Sequence, residues 1–138
     1  MNQMIEYLKQ QFSRPRTAML AGSGSALILI ALIIGISDHP PGIALCYLGL
    51  CFIVLSLTHQ WDRPRQYGTL LAVAVISFPV LVLLHNICDT INYQIGVIPV
   101  LNQLLGGIAV ISFILAVFVV PAVVVVSVVG GLYRLIRK

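Results

Sequence analysis

The sequence predicts an all-α integral membrane protein: a bundle of four transmembrane helices with an amphipathic interfacial helix at the N-terminus. Three observations predict it. Of 138 residues, 59% are apolar and 9% charged, and mean hydropathy is +1.04, whereas a soluble domain carries about a quarter charged residues. Four long apolar stretches contain no Asp, Glu, Lys or Arg. All eight bases fall in three short segments: Lys9, Arg14 and Arg16; Arg63 and Arg65; and Arg134, Arg137 and Lys138. The two other connections, around Asp38-His39 and Asp89, carry no base. Bases concentrate on the cytoplasmic side of membrane proteins, so both termini and the middle connection are expected in the cytoplasm, most simply across a bacterial inner membrane.

Residues 1–16 are expected to form an interfacial helix ending in a basic turn. At 100° per residue, Met1, Met4, Ile5, Leu8 and Phe12 share one arc, opposite Asn2, Gln3, Glu6, Lys9 and Gln10. Packing on a partner protein would need the same stripe. Residues 17–138 form the transmembrane domain. Span one covers about 17–37, longer than a signal-peptide core and without a small-residue cleavage site after it, so it is read as retained. Its Ala18, Gly22 and Ala26 place small residues on one face, which lets helix backbones approach in lipid. The expected partner is another span of the same chain, with a homodimer face as the alternative.

Span two covers about 43–59 and is short enough to stand upright. The connection after it carries Trp61 and Tyr67, expected as headgroup-level anchors together with Arg14, Arg16, Arg63, Arg65, Tyr133 and Arg134. Span three covers about 67–86, with Pro79 expected to kink it. Residues 86–100 mix polar and apolar types and are expected as a partly embedded loop. Span four covers about 101–133, too long for a hydrocarbon core of about 30 Å, so it should tilt, kink at Pro121 or protrude. Ser127 and Gly131 are further expected close-approach points. Arg14-Pro15-Arg16 before span one recurs as Arg63-Pro64-Arg65 before span three. That is compatible with two parallel hairpins, although bases before an outward-going span are required anyway.

The chemistry the sequence offers is sparse. Coupled transporters normally hold an ionisable group near the midplane, and the spans contain no carboxylate, ammonium or guanidinium. Cys46, Cys51 and Cys88 form no CxxC and read as buried small apolar residues, with a Cys46–Cys88 disulfide as the alternative. His39, His85 and Asp89 are the candidate metal ligands, since His85 and Asp89 share a helical face and His39 emerges on the same side of the membrane. A haem between His39 and His85 is a weaker variant. The span serines have no base nearby in sequence and are expected to bond to their own preceding turns.

No catalytic residue, phosphate loop or nucleic-acid patch is present. The bases sit beside membranes, where anionic lipids attract them by about 1 kcal/mol each. The expected function is therefore non-enzymatic: a structural or accessory subunit of a larger membrane complex. Lipids and other membrane subunits, or further copies of itself, are the expected partners, and no cofactor is expected. A homo-oligomeric channel or transporter, or an outer-face metal or cofactor binder, are the alternatives.

Overall fold

A computed structural model describes residues 14–36, 40–95 and 99–137. Regular structure among them is helical throughout. Helix α1 spans Pro15–Ile34, α2 Pro40–Thr58, α3 Pro64–Ile95 and α4 Pro99–Ile114. A π-helical stretch, Leu115–Val119, joins α4 to α5, Val120–Ile136. With α4, the π stretch and α5 read as one rod, four helices are long and apolar enough to cross a membrane. Only 6% to 28% of each rod's most apolar stretch is buried within the chain. The remaining apolar surface faces outward, which suits lipid and would be untenable in water. The N-terminal stripe, Asp38 and His39 lie outside the described residues.

Each rod begins at a proline: Pro15, Pro40, Pro64 and Pro99. The first helical position needs no N–H, and its φ matches the proline ring, so proline starts a helix at little cost. Gly35 ends α1 with φ 98°, a left-handed value that favours glycine, and its N–H donates to the Ala31 carbonyl at 3.0 Å.

Helices α1 and α2 form a hairpin in strict seven-residue register. Thr17, Gly24 and Ala31 are the buried residues of α1. Gly42, Gly49 and Ser56 are among those of α2. Gly24 lies against Gly49: a Cβ on either would sit 2.7 Å from the other's carbonyl oxygen. A Cβ on Gly42 would overlap the Gly35 carbonyl. Lipid supplies no hydrophobic drive between helices, so this backbone contact is what holds the pair. Cys46 is buried on the same α2 face, and all three cysteines are free.

The second hairpin is α3 against α4 and α5. Tyr67, Ala74 and Cys88 are buried at seven-residue multiples along α3, and Ala109, Ser112, Ala116 and Ser127 are buried along the fourth rod. Cys46 and Cys88 thus occupy different hairpin seams. The hairpins dock through α2 on α5 and the π stretch.

One expectation is corrected here. Residues 86–95 continue α3 instead of forming a loop, because the first helix breakers after Pro79 are Gly96 and Pro99. Polar side chains alone do not interrupt backbone hydrogen bonding. Pro79 lies within this continuous helix. As a result α3 has 32 residues against 20 in α1, and at 1.5 Å per residue it is about 18 Å longer. The hairpins are level at the arginine-bearing end, where Arg14 bonds Gln60 and Arg134 pairs with Asp62. The extra length therefore overhangs at the opposite end.

Pro121 has a local solution. In an α-helix, the N–H at position 121 would bond the Val117 carbonyl. Proline lacks it, and the preceding turns widen into the π stretch. The Tyr47 hydroxyl on α2 donates to the Val117 oxygen at 2.6 Å, and its ring stacks on Phe118 at 5.6 Å. A neighbouring helix thus satisfies the acceptor that proline orphans, as a low-dielectric setting requires.

Candidate functional site

The polar side chains concentrate where α2 ends. The last carbonyls of a helix have no intrahelical donor, and in α2 each of several finds one. The Thr58 hydroxyl donates to Val54 O at 3.0 Å, and His59 N–H donates to Leu55 O at 2.8 Å. His59 Nδ1 lies 2.9 Å from Ser56 O. A carbonyl only accepts, so Nδ1–H is the donor in this bond. Thr58 O accepts from Trp61 N–H at 2.9 Å and from the Tyr67 hydroxyl at 2.8 Å. Arg134 Nη2 donates to His59 O at 3.4 Å, while its Nη1 lies 3.3 Å from Asp62. A cation at a helix C-terminus also meets the negative end of the helix dipole. The Ser56 hydroxyl bonds back to Ile53 O at 2.7 Å.

This corrects one expected anchor. Tyr67 is only 3% exposed and is a packing residue. Its ring lies on Gly130, where any Cβ would collide with it. The close approach therefore falls at Gly130, one position before Gly131, whose added Cβ would meet Tyr67 at an ordinary 3.5 Å. Trp61 packs edge-on against Tyr67 at 5.4 Å. Tyr133 lies under both Arg134 and Arg137 at cation–π distance, 5.9 and 5.3 Å. Arg14 donates to Gln60 Oε1 at 2.6 Å, and Gln60 Nε2 to the buried Thr17 hydroxyl at 3.4 Å. Arg16, Arg63 and Arg65 are exposed.

Two spaces adjoin this turn. A groove of about 420 Å³ runs between α2 and α5, walled by Leu48, Phe52, Leu55, Val125 and Val129, and reaches His59 and Arg134. An open hollow of about 460 Å³ is lined by Arg14, Arg16, His59 and Gln60. His59 lines both.

At the far end, His85 Nδ1 lies 2.9 Å from Ala109 O and its ring 5.3 Å from Phe113. Nδ1 is again the protonated nitrogen, and the bond ties α3 to α4. Asp89 is exposed on the same helix, and His39 lies outside the described residues. Among the described residues no three His, Cys, Asp or Glu side chains are grouped to hold a metal. The same seam buries Asn92 and Asn102 Oδ1 atoms without a partner, and Asn92 sits beside Gly106.

The small-residue face expected for packing within the chain is not used there. Ala18, Gly22 and Ala26 are exposed, and a Cβ on Gly22 would meet nothing within 4 Å. The face that meets α2 is that of Thr17, Gly24 and Ala31. Ser127 is buried, its hydroxyl without a partner. Sequence reasoning missed Tyr47, Thr58, Gln60 and Gly130. Only Tyr47, a lone phenol in an apolar span, carried a usable signal beside Pro121. No protein-family profile, curated protein or solved structure matches the chain.

Proposed function

We propose that the chain is a non-catalytic subunit of a larger membrane assembly and that α1 is its docking helix. One observation carries this reading. Helix α1 has two small-residue faces, and only the face bearing Gly24 is consumed by α2. The other, Ala18, Gly22 and Ala26, is open along the outside of the first hairpin. A face of this kind lets a further transmembrane helix approach closely. The arrangement of bases favours a bacterial inner membrane with the arginine-rich end in the cytoplasm, and the stripe Met4, Ile5, Leu8 and Phe12 favours an N-terminal segment lying in that interface.

The test is isolation in mild detergent, with identification of everything that accompanies the chain, for wild type and for Gly22→Leu. Different membrane proteins should accompany wild type and be lost from the variant, whose own unfolding temperature stays unchanged. Recovery of a homo-oligomer alone would replace this reading with the channel alternative.

A further inference from the structure

We propose that the α2–α5 groove and the Arg14–Arg16 hollow together form a binding site for one anionic phospholipid, with an acyl chain in the groove and the phosphate in the hollow. The groove's volume of about 420 Å³ lies in the usual range of ligand sites, roughly 300–1,000 Å³. Its walls are aliphatic and aromatic, and its polar groups gather at one end, where His59 and Arg134 stand. That is the polarity of a single amphiphile. His59 makes the passage from chain to headgroup, since it lines both spaces.

Charge selects the headgroup. Among the described residues at this end, Arg14, Arg16, Arg63, Arg65, Arg134 and Arg137 face one carboxylate, Asp62. Arg134 is already engaged by Asp62 and by His59 O, so it closes the mouth without being the main phosphate ligand. Among the described residues Arg14 bonds the neutral Gln60 amide oxygen and meets no carboxylate. A guanidinium has five N–H donors in a planar fork suited to phosphate. Arg14 and Arg16 are therefore the phosphate-binding pair. Arg63 and Arg65 line a different hollow with Asp62.

Trp61 is the only tryptophan, and it packs on Tyr67, which lines the groove. Its fluorescence therefore reports on groove occupancy. The full chain is placed in phosphatidylcholine vesicles, and phosphatidylglycerol or phosphatidylcholine with brominated chains is titrated in. Brominated phosphatidylglycerol should quench Trp61 at a several-fold lower mole fraction than brominated phosphatidylcholine. Arg14→Gln should reduce that preference by roughly five-fold, while Arg65→Gln leaves it in place. Val129→Phe should shallow the quenching by both lipids. Val129 is 62% exposed, so a longer side chain fills the groove without entering the core, and Leu48→Phe repeats the test at another wall.

Equal losses in Arg14→Gln and Arg65→Gln would mean general surface attraction and overturn the proposal. So would quenching indifferent to Val129→Phe and Leu48→Phe. Cross-linking of two chains through positions 48 and 129 would assign the groove to a second copy and also overturn it.

Discussion

Gly22 and Gly24 stand two positions apart on one helix and should respond oppositely to the same change. A methyl at 24 would sit 2.7 Å from a backbone oxygen of α2, which cannot swing aside as a side chain does. Gly24→Ala should cost about 1–3 kcal/mol, as overpacking of a tight contact does. Gly22→Ala meets open space and should be neutral or stabilising by up to about 1 kcal/mol. Unfolding in detergent, followed by circular dichroism, reads both; equal effects would disprove the register described for α1 and α2. The sequence displayed both sets of small residues. Pairs spaced by four favoured Ala18, Gly22 and Ala26, whereas the interface uses steps of seven from Thr17 to Gly24 to Ala31. Nothing local distinguishes the two faces, because the choice depends on where α2 presents Gly49. Tyr67 was misjudged for a related reason. A tyrosine beside arginines reads as an anchor until a glycine-lined slot is known to face it.

Among the elements, the fourth rod rests on a cross-helix substitution for a missing hydrogen bond. Tyr47→Phe keeps the ring on Phe118 and deletes the donor to Val117 O, which should cost about 1 kcal/mol. Pro121→Ala restores an N–H able to reach that carbonyl, so in its presence Tyr47→Phe should cost little. A double-mutant cycle on unfolding free energies should give a coupling of at least about 0.5 kcal/mol. Strict additivity would mean that the tyrosine serves packing alone. Helix starts were legible to within two or three residues: spans read from hydropathy as beginning at about 17, 43, 67 and 101 open at Pro15, Pro40, Pro64 and Pro99. The end of α3 was not, because Asn86, Asp89 and Thr90 look like a loop by polarity while lacking any residue that breaks a helix. The π stretch has no local sequence signature of its own. It follows from Pro121 only once Tyr47 is known to stand opposite.

For the whole molecule, three basic segments distant in sequence meet at one end, and the polar end of α3 stands at the other. Single cysteines at 16, 65 and 137, in a background without Cys46, Cys51 and Cys88, should react with an impermeant maleimide from one side of the membrane. A cysteine at 94 should react only from the opposite side. Labelling of 65 and 94 from the same side would rule out the four-pass arrangement. Of the far-end metal candidates His39, His85 and Asp89, His39 lies outside the described residues, and His85 directs Nδ1 at Ala109 O, a bond that orients the ring and leaves Nε2 as its ligating atom. Such a constellation depends on side-chain direction, which spacing along the chain does not specify.

Unequal hairpins also bear on the kind of bilayer the protein suits. With 20 and 19 residues, α1 and α2 reach about 30 and 28 Å, so they fit a thin hydrocarbon layer and fall short of a sterol-thickened one of about 32–33 Å. The taller pair tolerates either, since its surplus mixes Asn86, Asp89 and Gln94 with Ile87 and Ile91 and suits the headgroup interface as well as the hydrocarbon layer. Lipid thickness should therefore act on the first hairpin alone. Across vesicles of increasing acyl length, protease resistance of α1 and α2 should peak at the shorter chains, while that of α3 stays level.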